Sequence, residues 1–392
     1  MKRLKLLISS YFLVIFSLFL YSFTQIDLSL TLSKISIWQE IQKNFQYLGF
    51  FQRPTSALIF SIILFLMFAL YLSFLYLSNK NKITHKHLAI LVIGSFVVLV
   101  FSYNAFSYDL FNYVFDAKIL THYHLNPYLF KPNDFPNDPM LHFMRWTQRT
   151  YPYGPTWLLL TVPLSFLGLN IFLPTVLMFK LLMGFSYLGS VYLIYKISEN
   201  IFPTKKIFNA LFFALNPLVL IEALVSAHND LPMIFLLLLA INLYLSKKKI
   251  LSSLSFLLSI GVKYSTVVLI PIIFYLEYLK SKNRSINWEK IFIASVLLSL
   301  IAVVLATFRT NFQPWYFLLT LSLASFVSHK RFIFVPVILL SFFSVLTYIP
   351  YVYLSDYVKG YPQVILNLQL FGLFVTIVLT LIAIYSKKIK LN

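Results

Sequence analysis

The segment SYDLFNYVFDAKILTHYHLNPY, residues 107–128, concentrates side chains that can carry out acid–base chemistry. It contains Asp109 and Asp116, although the whole chain has only 12 acidic residues. Because glycine and proline are absent before Pro127, we expect a helix that places Asp109, Tyr113 and Asp116 on one face. A carboxylate partly removed from water has a raised pKa and can act as a general base. The alternative is that Asp109 caps the N-terminus of this helix.

Three basic residues fall within apolar segments or at their ends. Lys180 and Lys263 lie inside such segments, and Arg309 begins a short turn after one. Charges at membrane depth are costly and are functional candidates by default, and Lys or Arg can stabilise charge on a leaving phosphate. Other interpretations stay open: Lys180 could extend to the outer interface, Lys263 could pair with Glu222, and Arg309 could be an interfacial charge.

A further polar group ends the apolar segment that begins at Ile207. It consists of Glu222 and the sequence AHND, which contains His228, Asn229 and Asp230. These side chains are unusual next to so much apolar sequence, which makes them candidates for a binding site. Asp230 could instead cap the helix that follows it.

Thiol and metal chemistry are not expected. The chain has no cysteine, which excludes disulfides. His122, His124 and His142 lack the spacing of a helical ligand pair, so we expect no metal site.

The composition is that of a membrane protein. Of 392 residues, 59% are hydrophobic and only 11% are charged, with a mean hydropathy of +0.81. We therefore predict one all-α polytopic membrane domain, residues 1–392, with about 10–12 transmembrane helices. The first apolar run follows a basic start without a cleavage site, which indicates a signal anchor. The predicted spans are 5–23, 56–78, 88–105, 174–196, 207–225, 231–246, 291–308, 315–327, 332–349 and 364–386.

Two segments do not fit simple spans. Residues 106–173 form the largest predicted extracytoplasmic loop, within which 154–172 is expected to be a helix at the outer face. Residues 250–278 are too long for one span and break at SIGVKYS, which predicts two short helices. Of the aromatic residues near the outer boundary, most would form an interfacial belt and a few would stack on a sugar; they are Trp146, Trp157, Trp315 and Tyr316.

The net charge of +20 is explained by topology. With the N-terminus inside, most of the 32 basic residues fall in inner loops, where they can contact anionic lipid headgroups. Of the acids, only Glu199, Glu277 and Glu289 fall on that side. This distribution predicts a multi-pass protein of the cell membrane with both termini cytoplasmic. It also argues against nucleic acid as a partner, because no basic stripe accompanies a recognition motif.

These motifs, in this order, resemble the GT-C glycosyltransferases, most closely their bacterial mannosyltransferase-like branch. The resemblance covers about residues 95 to 330 and rests on five elements: the acids with Tyr113 and a closing NPY, the YPYGP turn, the NP…E…AHND segment, Lys263 in a broken helix, and PWY at 314–316. The chain departs from the family pattern at Ala117 and His124, where glycine is usual.

The resemblance implies a GT-C-type bundle that transfers a hexose such as mannose from a polyprenyl-phosphate donor, with inversion, at the outer face. The acceptor would be a glycan or a glycolipid, and no cofactor would be needed. Asp109 would be the general base, and Lys180, Lys263 and Arg309 would contact the donor phosphate. The residues implied in acceptor binding or as a second acid are Asp116, Tyr113, His228, Asn229 and Asp230.

Two alternatives from other classes remain. A ligase or polymerase of lipid-linked glycans would also act at the outer face. A transporter of lipid-linked sugars would also carry polar residues in its spans, but it would favour inverted repeats, and the large outer loop has no counterpart in the second half.

Overall fold

The computed structural model describes residues 2–389, and side chains are described up to residue 386. Both terminal residues and Lys390, for which an inner location was predicted, therefore lie outside the described part. Within it the chain is helical and contains no strand, which confirms the predicted all-α class. The α-helices, in chain order, are α1 Lys2–Ser22, α2 Ser36–Gln46, α3 Arg53–Asn79, α4 His85–Leu99, α5 Asp109–Thr121, α6 Pro155–Leu167, α7 Phe172–Ile201, α8 Lys206–Ala214, α9 Pro217–Val219, α10 Asp230–Leu245, α11 Lys249–Val262, α12 Ile270–Ser281, α13 Trp288–Thr310, α14 Leu318–Ala324, α15 Arg331–Leu346, α16 Tyr348–Leu354 and α17 Tyr361–Ile389.

Six helical segments of the described chain are long and apolar enough to cross a membrane. They are Lys2–Gln25, Arg53–Asn79, Phe172–Ile201, Trp288–Thr310, Arg331–Leu354 and Tyr361–Ser386. A bent pair, Pro203–Ala214 and Pro217–Val225, adds a seventh if it is counted as one span. The predicted spans at 88–105 and 231–246 fall on α4 and α10, whose 15 and 16 residues extend less far than the hydrocarbon thickness. By helix length alone, the expected 10–12 crossings are reached only if such short helices cross as well.

The bent pair lies at the centre of the bundle. Every residue from Asn209 to Pro232 is buried, so this segment is enclosed on all sides, as expected for a helix that is apolar all round. After α9 the backbone widens into a π-helix, Leu220–Val225, which is followed by the turn that leads into α10. Around this centre, α7 packs against α8 and α10, and α10 packs against α11.

The first helix of residues 106–173 is α5, which packs on α6 and α7. Its residues from Leu110 to Ala117 are all buried, so this helix is part of the folded core and not a mobile loop. The following turn-rich loop is pinned to α5, because Lys118 and Tyr123 donate hydrogen bonds of 2.5 and 2.6 Å to Asp138. Burial alone would raise the pKa of Asp138, but these donors outweigh it and hold that pKa below its usual range.

Helix α6 starts at a close backbone contact. Gly154 precedes Pro155, which occupies the favoured first position of the helix. A Cβ added at Gly154 would lie 2.2 Å from the carbonyl oxygen of Gly261, near the end of α11. Only glycine therefore allows the YPYGP turn to rest on the broken helix.

The break in the 250–278 region follows directly after this contact. Helix α11 ends at Val262, Lys263 is extended, and a 3-10 helix, Tyr264–Leu269, leads into α12. Because Lys263 is itself extended and belongs to neither helix, its side chain can leave both helix surfaces. In this way the chain brings an ammonium group into the bundle.

Candidate active site

Asp109 is the first residue of α5, and its carboxylate is 14% exposed. Tyr108 occupies the N-cap position without a side-chain capping bond, and the Asp109 carboxylate accepts no hydrogen bond from the described residues. Burial raises the pKa of Asp109, while the positive charges of Arg149 and Lys263 partly offset that effect. The carboxylate is thus open to a ligand, and the capping alternative gains no support.

Asp116 lies two turns further along the same helix and is buried. Burial raises its pKa to about 7, with Arg149 acting in the opposite direction and Asp109 in the same direction. The two acids therefore share one cationic neighbour, Arg149. A carboxyl with this pKa can donate a hydrogen bond near neutral pH as well as accept one.

Sequence reasoning missed Arg149. It lies in the loop before the YPYGP turn, where an arginine is normally solvated. Burial alone would lower its pKa, but the neighbouring Tyr153, Asp109 and Asp116 raise it. Its position two residues before Tyr151 was the only available signal, since nothing in the local pattern places it against α5.

His228 lies between two acids and is fully buried. Its Nδ1 is 3.7 Å from Asp109 Oδ2, and its Nε2 is 3.2 Å from Glu222 Oε2. The ring stacks on Trp315 with centroids 3.9 Å apart. Of the aromatics predicted near the outer boundary, Trp315 thus contacts the site, whereas Trp157 is fully buried and is no belt residue.

Lys263 pairs with Asp230 and not with Glu222, the partner considered from the sequence. Its Nζ donates a 2.7 Å hydrogen bond to Asp230 Oδ2, and it lies 5.6 Å from the ring centroid of Tyr316. Asp230 is 4% exposed, whereas Lys263 is 20% exposed. A buried carboxylate thus fixes an ammonium group that keeps an accessible side, within electrostatic reach of Asp109.

Tyr113 and Asn229 join the acid helix to the AHND turn. The Tyr113 hydroxyl donates to Asn229 Oδ1 at 3.4 Å, and both residues are buried. Tyr113 also packs edge-on against Tyr153 and Trp157. These contacts hold α5, the YPYGP turn and the AHND turn together around Asp109.

The structure places Lys180 in a different environment. Its Nζ donates to the carbonyl oxygen and hydroxyl of Ser102 and to the carbonyl oxygen of Val225, and the residue is buried. The three donors of a lysine ammonium are thereby occupied. Lys180 ties the end of α4 to the central π-helix and does not extend to the outer interface.

Arg309 lies in the last turn of α13 and is exposed. It forms no ion pair with any residue between 2 and 386. The adjacent Thr310 contacts the Tyr316 hydroxyl through its Oγ1 at 2.5 Å, and Tyr316 lies beside Lys263. Arg309 is thus linked to the Lys263 pair only through its chain neighbour Thr310 and the ring of Tyr316.

The histidines weighed as metal ligands do not gather into a site. Over the described residues, no three His, Asp or Glu side chains are arranged to hold an ion. His122 and His124 are exposed in the turn-rich loop that follows α5.

The arrangement combines a free carboxylate, a second carboxyl of raised pKa and cationic groups at the surface of a membrane bundle. A free carboxylate can take a proton from a hydroxyl. An accessible ammonium group can stabilise charge on an oxyanion. These are the elements of a group transfer to a hydroxyl.

The comparisons with known proteins agree with this chemistry. The family model described as alpha-(1->6)-mannopyranosyltransferase, N-terminal domain, matches residues 27–278, well over half of the chain. That range contains every site element described above except Trp315, Tyr316 and Arg309. No curated protein and no solved structure matches the chain significantly. The chain belongs to the alpha-(1->6)-mannopyranosyltransferase family, and it is a membrane glycosyltransferase.

Proposed function

We propose that the protein transfers mannose from a polyprenyl-phosphate-linked donor to a hydroxyl of a glycan or glycolipid, at the outer membrane face and with inversion. The observation that carries this proposal is the Asp109 carboxylate, which is partly exposed and free of protein hydrogen bonds beside the cationic Lys263 and Arg149. The family description names α-(1→6)-mannopyranosyl transfer, which makes mannose the sugar to test first.

Asp109 acts as the general base in this proposal. Burial raises its pKa, which brings the proton affinity of the carboxylate closer to that of an effective base at neutral pH. The nearby positive charges of Arg149 and Lys263 partly offset this rise and favour the ionised form. As the acceptor oxygen attacks the anomeric carbon, its proton passes to Asp109 and the polyprenyl phosphate leaves.

Lys263 and Arg309 contact the donor phosphate. Lys263 is held by Asp230 but keeps an accessible side, and Arg309 is exposed with its guanidinium free. A lipid donor presents its phosphate at headgroup level, where cationic groups at helix ends can meet it. Lys180 would first have to release Ser102 and Val225, so the proposal does not depend on it.

Asp116, Tyr113 and Asn229 contact the acceptor side of the site, together with Arg149. Asp116 carries a raised pKa and sits deeper than Asp109, so it suits hydrogen bonding to other hydroxyls of the acceptor. A residue of this kind contributes mainly to binding, whereas a base contributes to turnover.

The donor is tested with the purified protein in lipid nanodiscs. Radiolabelled polyprenyl-phosphate mannose and GDP-mannose are offered separately with an oligomannoside acceptor. We expect incorporation from the lipid donor alone, with the anomeric configuration inverted. Incorporation from GDP-mannose without any lipid donor would contradict the proposal, because it would assign the reaction to a nucleotide sugar.

The base is tested in the same assay with two isosteric variants. Because proton transfer by a positioned base contributes typically 10²–10⁴-fold, we expect Asp109→Asn to lose about that factor in kcat. Asp116→Asn should retain much more of its kcat and instead raise the KM for the acceptor. Asp134→Asn, an exposed acid of the same loop, is the matched control. Near-normal turnover of Asp109→Asn would eliminate Asp109 as the base, and a larger loss at Asp116 would transfer the role there.

A further inference from the structure

The AHND turn and the π-helix before it contain a cluster of buried polar atoms. Glu222, Ser226, His228 and Asn229 are each fully buried. The atoms of this cluster that form no hydrogen bond with the described chain are Glu222 Oε2, Ser226 Oγ, both ring nitrogens of His228, and Asn229 Nδ2. Leaving such a group without a hydrogen bond is destabilising. A cluster of this kind in the core is therefore costly to stability and calls for a functional explanation.

The backbone of the same segment is also unusual. The π-helix Leu220–Val225 is a rare conformation that frequently occurs at functional sites. Ala227 follows with a φ of 60°, which is uncommon for a residue with a side chain. The two features deliver Glu222 and His228 to the same place, where the His228 amide donates to the Glu222 carbonyl oxygen at 2.9 Å.

The ring of His228 connects Glu222 to Asp109 in a defined order. Its Nε2 faces Glu222 Oε2 at 3.2 Å, and its Nδ1 faces Asp109 Oδ2 at 3.7 Å. The other oxygen of Glu222 accepts a 2.7 Å hydrogen bond from the Tyr348 hydroxyl. Stacking on Trp315 fixes the plane of the ring. The imidazole therefore has one acid at each nitrogen and little freedom to rotate.

The proton arrangement follows from this order. Because a lone pair on Nδ1 would repel an ionised Asp109, the tautomer with hydrogen on Nδ1 is favoured. Nε2 then carries no hydrogen and faces Glu222 Oε2 at 3.2 Å, where a protonated Glu222 can donate to it once the two groups are aligned. In this tautomer the Nδ1–H lies on the side of Asp109.

We propose that His228 is a positioning residue, whose Nδ1–H holds Asp109 Oδ2 and leaves the second carboxylate oxygen directed at the acceptor hydroxyl. Glu222 and Tyr348 fix the ring from the other side. This inference rests on the proposed role of Asp109 as base. At 3.7 Å the contact is longer than a hydrogen bond, and the proposal therefore includes a small shift of the carboxylate toward Nδ1 in the complex with the acceptor.

His228 acts within a dense electrostatic environment, and the test must separate its effect from the others. The titratable groups that face Asp109 or its partners are Asp116, Arg149, Glu222, Asp230, Lys263, Tyr113, Tyr153 and Tyr348. A variant in which His228 alone is replaced by an amide residue leaves all of these side chains in the protein.

Asparagine and glutamine separate the two ring nitrogens. The amide of His228→Asn can replace the Nδ1–H toward Asp109, whereas the longer His228→Gln places its amide near the Nε2 position and leaves Asp109 without a donor. Since misplacement of a catalytic group costs up to about 10²-fold, we expect His228→Gln to lose about 10²-fold in kcat at little change in KM. His228→Asn should retain about ten-fold more activity than His228→Gln. His124→Asn, an exposed histidine whose φ of 56° suits asparagine, is the matched control.

The pH profile supplies a readout that a merely structural role would not move. A donor to the ionised form lowers the pKa of a carboxyl, so its loss raises that pKa. We expect the acidic limb of kcat/KM to shift upward by about one pH unit in His228→Gln and by less in His228→Asn. Equal losses in both variants with unchanged profiles would overturn the proposal and leave His228 a packing residue.

A measurement that needs no turnover can test the positioning role of His228 separately from the identity of the sugar donor. A carbodiimide modifies the protonated form of Asp109, and its rate against pH can be followed by peptide mass spectrometry. The pH at which the modification rate of Asp109 is half-maximal should be higher in His228→Gln than in wild type and in His228→Asn. A midpoint that stays in place overturns the positioning role, whichever donor the wild-type enzyme uses. Absence of transfer from the lipid donor with a shifted midpoint would overturn only the proposed function.

Discussion

Asp109 and Asp116 lie two turns apart on one helix face, but their surroundings differ. Asp109 keeps 14% of its side chain exposed, and Lys263 contributes positive charge beside it. Asp116 is enclosed and depends on Arg149 for compensation. For Asp116, burial outweighs the effect of Arg149 and raises the pKa to about 7, so this acid titrates near neutral pH.

This difference makes Asp116 a determinant of pH-dependent stability. Burial raises its pKa from an unfolded value of about 3.9 to about 7 in the folded protein. The folded state therefore binds more protons between about pH 4 and pH 7, and the free energy of unfolding falls as the pH rises through that window. Asp116→Asn removes the titrating group. We expect its melting temperature to depend less on pH and to exceed that of wild type at pH 8.

The measurement is thermal unfolding in detergent between pH 5 and pH 8, with Asp134→Asn as the exposed control. The wild-type melting temperature should fall as the pH rises. The corresponding loss in the free energy of unfolding should be on the order of a few kcal/mol over this window. If Asp116→Asn and wild type change in parallel, other groups control the pH dependence and the burial argument for Asp116 is wrong.

At the residue scale, the sequence predicted the region of the site better than the roles within it. Asp109 and Lys263 stand out because charges are rare in so apolar a chain. Arg149 does not stand out, because a loop arginine is usually solvated and only the fold brings it to the acids. For Lys180 the position inside an apolar segment is visible in the sequence, but the three oxygen atoms that accept its hydrogen bonds are not.

At the element scale, the break after α11 and the YPYGP turn before α6 meet near Asp109. The break after Val262 directs Lys263 into the bundle, and the YPYGP turn rests on Gly261 just before it. The sequence predicted helices near these places, since proline, glycine and apolar runs mark their ends. It did not predict the π-helix Leu220–Val225, because that conformation depends on how α4 and α7 pack against the segment.

The contact between Gly154 and Gly261 gives a test of this junction. A Cβ at Gly154 would lie 2.2 Å from the Gly261 carbonyl oxygen, so the YPYGP turn must move away from α11. Displacing backbone in a packed site costs typically 1–3 kcal/mol. We expect Gly154→Ala to lower the melting temperature by several degrees and kcat by about ten-fold or more, because the turn that carries Tyr153 shifts relative to α11 and the break at Lys263.

Leu159→Ala is the matched control for that variant, since Leu159 is on the same helix but 66% exposed. It should leave both quantities nearly unchanged in detergent. A Gly154→Ala protein with normal turnover would mean that the turn adapts without disturbing the site, and that the glycine contact serves assembly alone.

At the scale of the whole molecule, composition decided the class. A chain with 59% hydrophobic residues can cover its surface only in lipid, which is why the all-α membrane fold was predictable. The number of crossings was harder, because hydropathy does not show that the central segments bend and shorten. Only six described segments have both the length and the hydropathy to cross alone, seven with the bent pair.

The charge distribution predicts which side each loop faces. Lysines cluster at 247–249, in the turn between α10 and α11, whereas residues 106–173 hold Asp109, Asp116, Asp134 and Asp138. Positive residues are retained on the cytoplasmic side. We therefore expect the 247–249 turn inside and the acid-bearing segment outside, which is also the side on which a lipid-linked donor is proposed to react.

Because the chain has no cysteine, single cysteines can report this topology without a background. Asn137 and Ser246 are both exposed and lie in the outer segment and beside the lysine turn respectively. In intact cells, an impermeant maleimide should label Asn137→Cys directly and Ser246→Cys only after the membrane is permeabilised. Labelling after permeabilisation is the control for accessibility of each site. Labelling of Ser246→Cys but not Asn137→Cys in intact cells would reverse the topology. The Asp109 carboxylate would then face the cytoplasm, where nucleotide sugars are available, and the proposal of a lipid-linked donor would lose its spatial basis.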